Sequence, residues 1–273
     1  AVTISLSPTS HSLNVQDINL HWGTGNLTGS ATFQKANTEP WSFQGEINTA
    51  PFDIQTALTV FSPHLNETMF YNAMTEAEIS GNARIVQASI SSALDMLDSS
   101  DISVSAELEL KDIRGQLSGK TFEHINASII LEDDTLELRS LVGQYGKSNI
   151  LRGIGIITDL YDKADIESTV TFMVPTSEFM DYLGRNSPRD NSPKEKTSEI
   201  WEYGSPAGGG HLTLEITGGL DSNDLDFEGV FQSRGMGFHS NWIGLPVSKL
   251  FGRLDFSSDG IDLTNLKGRI GRS

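Results

Sequence analysis

The chain contains no cysteine, and its 19 Lys and Arg residues are outnumbered by 36 Asp and Glu residues among 273 positions. Without cysteine the protein forms no disulfide bonds and performs no thiolate chemistry. The formal net charge of −17 opposes binding to a phosphate backbone, because nucleic-acid affinity depends on Lys and Arg neutralising phosphates. The composition therefore excludes thiol enzymes and argues against a nucleic-acid partner.

The sequence also lacks the signatures of common catalytic and cofactor sites. It has no G-x-S-x-G, P-loop or H-E-x-x-H pattern, and its six histidines do not have the spacing of metal ligands. The segments GTGNLTG (23–29) and DSNDLDFEG (221–229) match neither a dinucleotide loop nor a calcium loop, so we interpret both as turns between strands. We expect no catalytic residue, no metal and no cofactor.

Alternation of apolar and polar residues dominates the chain. In DISVSAELELKD (101–112) every second residue is apolar, which is typical of a half-buried strand. The same pattern recurs in segments such as INASII, TLELRSL, ADIESTVTF, HLTLEI and KLFGRLDF, joined by turn-forming clusters. The sequence therefore predicts a mainly β protein, built as an antiparallel meander.

Helical spacing is confined to three short segments. These are Asp53 to Phe61, roughly Ala88 to Leu97, and Ser177 to Leu183. Asp53, and Thr176 or Ser177, are predicted to cap the first and third of these helices at their N-termini.

An internal repeat organises these elements. The segment Asp134 to Ser148 (DTLELRSLVGQYGKS) matches Asp259 to Ser273 (DGIDLTNLKGRIGRS) at an offset of 125 residues, and a fainter copy begins at Leu13. Pro51 and Pro175, each before a helix-like segment, keep nearly the same spacing. We infer a unit of about 124 residues.

This spacing gives a domain plan. Residues 1–185 are expected to hold repeated β units with short helices, residues 186–210 a flexible loop rich in Ser, Pro and Gly, and residues 211–273 the start of the next unit, truncated at its end. Both ends of the sequence would then lie inside a longer protein. Any targeting segment or membrane anchor is expected outside this stretch, which has no run of about twenty apolar residues.

The apolar faces of so many strands need to be covered, and three short helices are too few to do it. The meander could curl into a groove whose apolar inner face receives an apolar ligand, close into a barrel, or pack as a β-sandwich. We expect the groove, since stacked β units would extend one dry track along the repeat axis. The β-sandwich is the alternative.

The segments LFGRLDFSSDGIDLTNLKGRIGRS (250–273) and INASIILEDDTLELRSLVGQYGKS (125–148) resemble repeats of the AsmA-like family of Gram-negative envelopes, which includes the TamB and YhdP types. The shared pattern is a strand, a short turn, a second strand ending in L-x-G, and then G-x-S. The resemblance implies a periplasmic β-groove, anchored in the inner membrane outside this segment, that conducts phospholipid towards the outer membrane and assists its biogenesis. It implies no catalytic residues, and other envelope proteins would be its protein partners.

We therefore expect a non-enzymatic function, the binding or passage of lipid acyl chains along the apolar face. An exported interaction or adhesion module with a closed sandwich core is the alternative, and a glycan hydrolase with two carboxylates is a third possibility. The predicted lining consists of large apolar residues of the alternating segments: Ile102, Val104, Leu108, Leu110, Ile125, Ile129, Leu136, Leu138, Leu214, Ile216, Leu225, Phe227, Leu254, Phe256, Ile261 and Leu263.

Overall fold

The fold is described from a computed structural model of the chain. The described residues are 3–7, 12–22, 25–35, 41–65, 69–93, 102–160, 163–179, 207–220, 225–240, 245–258 and 260–271. Most of the loop predicted at 186–210 lies outside them.

Fifteen strands and two helices make up the described part of the chain. The strands are β1 (Thr3–Ser7), β2 (Ser12–Trp22), β3 (Gly25–Lys35), β4 (Trp41–Thr49), β5 (Phe52–Asp53), β6 (Ser80–Ala93), β7 (Ile102–Leu117), β8 (Lys120–Glu132), β9 (Thr135–Tyr145), β10 (Ser148–Thr158), β11 (Asp165–Pro175), β12 (Ala207–Gly219), β13 (Asp226–Ser240), β14 (Leu245–Ser257) and β15 (Gly260–Ile270). The helices are α1 (Ile54–Leu65) and α2 (Met69–Glu76). A further helical turn occupies residues 176–179.

The strands follow one another in a single antiparallel meander. The order in the sheet is the order in the sequence, except that the two-residue β5 pairs with β6 beside the main path. This confirms the predicted mainly β meander with few short helices. The described strands are not divided between two sheets, as the strands of a sandwich would be.

The helix predicted from Asp53 is confirmed, and Asp53 is its N-cap. The backbone N–H of Thr56 donates to Asp53 Oδ1 at 2.7 Å, which satisfies one of the free donors of the first turn. The third predicted helix begins as expected, with helical residues 176–179, and its remaining residues lie outside the described part. Helix α2 was not predicted from the sequence.

The helix predicted at Ala88 to Leu97 is wrong over its described part, because β6 extends to Ala93. Ile90, at helical spacing from Leu94, also fits the two-residue period of a strand. In the structure it pairs with Gly45 of β4 and Val104 of β7. Two neighbouring ladders override the weak local helical preference.

Four residues of the predicted loop also belong to a strand. β12 begins at Ala207, before the boundary predicted at 211. Glycine is depleted in strands, which is why this stretch was interpreted as a loop. Here it is required by close approach: a Cβ on Gly209 would lie 2.5 Å from the carbonyl oxygen of Val174.

Left-handed backbone positions occur within the strands and in the turns between them, and some recur with the period of the sequence repeat. Several mark β-bulges, where one strand carries an extra residue and bends. They recur at spacings of 123 to 127 residues in the pairs Gly81 and Gly208, Asp112 and Gly235, His124 and Lys249, and Gly146 and Gly271. The backbone geometry thus has the same period as the sequence repeat.

The chain divides into two compact units. Unit 1 comprises residues 1–143 and 154–165, and unit 2 comprises residues 144–153 and 166–273. In unit 2 a small core of Val174, Phe231 and Met236 is packed against half-buried apolar neighbours on the same sheet face. In unit 1 the buried apolar residues include Ile54 at the start of α1, Ala83, which pairs with Phe52 of β5, and Ile113 of β7.

Candidate functional site: an apolar sheet face

One face of the unit 1 sheet is apolar across successive strands. We call it the apolar face of unit 1 and define it by its cross-strand rows. The three longest rows are Leu13–Phe33–Phe43–Ser92–Ile102, Val15–Ala31–Gly45–Ile90–Val104, and Ile18–Gly29–Ile47–Ala88–Ala106–Leu131. Because directly paired residues point to the same side of a sheet, these rows form one continuous surface.

Two shorter rows extend this face over β6, β7 and β8. They are Ile85–Leu108–Ile129 and Ala83–Leu110–Ala127. Bulges at Val86 and Asp112 insert single extra residues, and the apolar residues on either side of each bulge keep to the same face. Without the extra residue, the remainder of each strand would present its polar side.

The opposite face of unit 1 is polar. Ser89 and Ser105 hydrogen-bond across β6 and β7 at 2.8 Å, and Arg84 lies 3.7 Å from Glu109 on the same two strands. Thr28 donates to Asn48 Oδ1 at 2.7 Å across β3 and β4. The many carboxylates of the chain can therefore be solvated without entering the apolar face.

A small charged cluster sits at the bulges of β7 and β8 on this polar side. His124 Nδ1 lies 2.7 Å from Asp112 Oδ1, and Arg114 donates to Asp112 Oδ2 at 2.8 Å. These contacts, the His124 hydrogen bond first, hold the pKa of Asp112 below its ordinary value. The side chain of Asn126 accepts a hydrogen bond from the Asp112 N–H at 3.2 Å, so the bulge leaves this donor satisfied.

An open recess of about 720 Å³ also lies in unit 1. Its lining includes Asp17 at the β2 bulge, Val86 at the β6 bulge, and polar side chains such as Asn19, Glu46 and Asn48. Among the described residues no group of three His, Asp or Glu side chains is placed to hold a metal ion. The recess thus offers amides and carboxylates but neither a basic side chain nor a metal-ligand cluster.

Much of the apolar face in unit 1 remains in contact with solvent. Ile102 is 46% exposed and Ile90 is 40% exposed, whereas Ile113, near the helices, is 5% exposed. Leu108, Leu110 and other residues between these limits are half-buried. The face is therefore covered at its bulged end and open towards the other end of the strands.

Unit 2 has an apolar face of the same kind. Its rows are Leu212–Phe231–Leu254–Leu263 and Leu214–Gly229–Phe256–Ile261, followed by the pair Ile216–Phe227. On β15 the row ends are strongly exposed, at 63% for Ile261 and 58% for Leu263. Phe227 at the open end of β13 is 45% exposed.

The register places most of the predicted lining residues on these two faces. In unit 1 it groups Ile102, Val104, Leu108, Leu110, Ile125 and Ile129, and in unit 2 it groups Leu214, Ile216, Phe227, Leu254, Phe256, Ile261 and Leu263. Leu136 and Leu138 occupy alternate positions of β9. Leu225 lies just before β13, and Ile125 is only 9% exposed, so these two are the least suited to contact a ligand.

Sequence reasoning missed several residues of the same rows. Ala88 falls in the segment predicted as a helix, and Ala106, which alternates with serine and glutamate on β7, is not among the large side chains predicted to line the groove. Phe33 and Phe43, whose rings are 4.8 Å apart, also belong to the face of unit 1. Small residues matter here because they set the depth of the surface between the larger side chains.

No family model, no curated protein and no solved structure matches this chain. Among the described helices none is both long enough and apolar enough to cross a bilayer. The apolar faces and their register are thus the features from which a function is to be inferred.

Proposed function

We propose that this chain is a non-enzymatic lipid-binding segment of an AsmA-like envelope protein, and that its apolar sheet faces receive phospholipid acyl chains. One observation carries the proposal. The rows of apolar side chains continue in register from β2 to β8, and many of these side chains are still partly exposed. A soluble protein that had finished covering its apolar surface would not leave such a contiguous patch.

The energetics favour an apolar occupant. Transfer of an acyl chain from water to an apolar surface is worth roughly 0.8 kcal/mol per methylene, or about 12 kcal/mol for fifteen methylenes. A single charge pointing into such a track would remove several kcal/mol of this gain. The separation of charged and apolar residues onto opposite faces, as at Leu108 and Glu109 of β7, is the arrangement that this function requires.

The cellular setting rests on the resemblance described above. On that basis we propose that the protein acts in the periplasm, anchored in the inner membrane by a part of the full-length protein outside this sequence. Phospholipid would pass along the groove between the inner and outer membranes, in support of outer-membrane biogenesis. Other envelope proteins would contact the polar outside of the sheet.

Photocrosslinking on adjacent residues tests the proposal. Benzoylphenylalanine is placed at Leu108 on the apolar face or, as the matched control, at Glu109 on the opposite face of the same strand. The proteins are expressed in a Gram-negative host, irradiated, and purified without detergent for native mass spectrometry. We expect phospholipid adducts at position 108 and none at position 109.

Equal labelling at both positions, or no lipid at either, would contradict the proposal. An interaction module would instead give protein adducts at position 108. Because the proposed function involves no chemical step, we expect neither variant to change a rate of polysaccharide hydrolysis.

A further inference from the structure

A ring stack covers the apolar face of unit 2. Phe179, on the helical turn 176–179, lies parallel to Phe231 of β13, with ring centroids 3.9 Å apart and planes inclined by 9°. Val174 and Met236 complete the buried cluster, each 2% exposed. Since Phe231 pairs with Leu212 and Leu254, the stack lies on the same face as the predicted lining.

Exposure falls abruptly along β13 at this stack. Phe227 is 45% exposed, whereas Phe231, four residues further along the same face, is 2% exposed, as is Met236 beyond it. Two residues along a strand span roughly 7 Å. The apolar face of unit 2 thus changes from open to closed over the four residues from Phe227 to Phe231, which is twice that distance.

Unit 1 keeps the corresponding row open. The sequence repeat aligns Ile129 with Leu254 at an offset of 125, so the row Ile85–Leu108–Ile129 corresponds to the row that contains Phe231. Leu108 is half-buried, whereas Phe231, at the corresponding position, is 2% exposed. The two rows thus differ in how far they are covered.

A buried carboxylate holds the helical turn in place. Glu178 is 3% exposed and accepts hydrogen bonds from Ser148 Oγ at 2.6 Å and from the Lys147 N–H at 3.0 Å. Ser148 is itself 4% exposed. Because Glu178 directly precedes Phe179, these contacts fix the turn that carries the ring.

We infer that Phe179 is a stop for acyl chains in unit 2, an inference that rests on the proposed function. An acyl chain on this face contacts the rows of Phe227, Phe256 and Ile261 and ends against the Phe179–Phe231 stack. Glu178 is a positioning residue that keeps the stop closed. The chain length accommodated by unit 2 is set at this point, whereas the corresponding row of unit 1 remains accessible.

The test maps the path of the chain with a phospholipid that carries a diazirine near the end of one acyl chain. After irradiation, labelled peptides are identified by mass spectrometry in the wild type, in Phe179→Ala and in Phe251→Ala. Phe251 is a matched control, since it lies on β14 in the same unit and is 50% exposed. In the wild type we expect labels near Phe256 and only background labelling at Met236 and Leu250. In Phe179→Ala, but not in Phe251→Ala, labelling of Met236 and Leu250 should rise at least tenfold above that background.

The outcomes separate the two proposals. Labelling of Met236 or Leu250 in the wild type, or no rise in a folded Phe179→Ala, would overturn the stop while leaving lipid binding intact. Absence of label from both apolar faces would overturn lipid binding itself. If Phe179→Ala fails to fold, Phe179→Leu keeps most of the buried area and removes the ring stack, and we expect the same redistribution at about half the extent.

Discussion

The two units attach their helical segments by different means. Counted from the aligned prolines Pro51 and Pro175, Ile54 in unit 1 corresponds to Glu178 in unit 2. Ile54 is 7% exposed and begins a helix capped by Asp53, whereas Glu178 is buried and bonded to a neighbouring strand turn. One repeat position thus serves apolar packing in one unit and a charged hydrogen-bond network in the other.

This difference has a consequence for the sheet faces. In unit 1 the buried apolar residues lie at the bulged ends of the strands, and the row of Leu108 stays half-exposed. In unit 2 the turn places Phe179 against Phe231, which is 2% exposed. A repeat therefore conserves the frame of the sheet while its helical segment determines how much of the apolar face is available.

The largest difference in stability between the units is expected when the corresponding side chains Phe231 and Leu108 are each truncated to alanine. Phe231→Ala should lower the free energy of unfolding by about 4 kcal/mol, because it empties a fully packed position. Leu108→Ala should lower it by about 1.5 kcal/mol, because that side chain is only half-buried. Urea denaturation followed by circular dichroism measures both, and equal losses would show that the two rows are packed alike.

Substitution of the equivalent glycines should affect the two units equally. A Cβ at Gly81 (φ +123°) would lie 2.6 Å from the Asp112 carbonyl oxygen, and one at Gly208 (φ +78°) would lie 2.7 Å from the Gly235 carbonyl oxygen. Either alanine variant should lose about 3 kcal/mol of stability. Gly119→Ala (φ +75°), with nothing within 4 Å, should lose only about 1 kcal/mol in the same assay.

Glu178→Gln sharpens the comparison of the helical attachments. The amide oxygen is a weaker acceptor for the Ser148 hydroxyl and the Lys147 N–H, so we expect a loss of about 2 kcal/mol. Glu215→Gln, an exposed carboxylate of β12, should change the stability by less than about 0.5 kcal/mol. An unchanged stability of Glu178→Gln would mean that other contacts hold the turn, such as the aromatic stack and the hydrogen bond from Thr176 Oγ1 to the Ala207 carbonyl.

Removal of the N-cap tests the helix of unit 1. Asp53→Ala leaves the N–H of Thr56 without its side-chain acceptor and should lower the stability by about 1 kcal/mol. Gln55→Ala, at an exposed position of α1, serves as the control and should be nearly neutral. Thermal unfolding monitored at the far-ultraviolet helix band distinguishes the two variants.

The smallest effect concerns the charged cluster at the bulges of unit 1. The hydrogen bond from His124, then that from Arg114, lowers the pKa of Asp112, so its contribution is present at neutral pH and is lost as the pH falls through the lowered value, below roughly pH 4. In His124→Ala the carboxyl NMR titration of Asp112 should shift to higher pH. The titration of Asp255 in unit 2, whose pKa is lowered by Arg253, should not move.

The meander could be predicted from the sequence because period-two alternation is a local signal that survives in almost every strand. The same signal placed most of the lining residues on two common faces, as for Leu108 with Ile129 and Leu254 with Leu263. The segment around Ile90 fits both the helical period and the two-residue period of a strand, so the local pattern could not decide between a helix and a strand. In the structure it is a strand, because it pairs with β4 on one side and β7 on the other.

The closed part of the unit 2 face could not be predicted. Phe179 and Phe231 are far apart in the sequence, and their contact depends on how the helical turn follows β11. Nothing in the sequence around Glu178 indicates that this carboxylate is buried. Gly209 and Gly210 were predicted as loop because glycine is depleted in strands. Their role, which is to let Val174 and Phe231 approach closely, is visible only in the folded chain.

The regular recurrence of left-handed positions constrains how such a chain can change in length. Removing one residue inside a strand would turn every following side chain of that strand to the other side of the sheet. Adding or deleting a whole block of about 124 residues would keep the recurrent left-handed positions, such as Asp112 and Gly235 or His124 and Lys249, at their places in the sheet. Proteins assembled from this block are thus expected to differ from one another by whole repeat units. The length of their sheets would then change in steps of one unit rather than residue by residue.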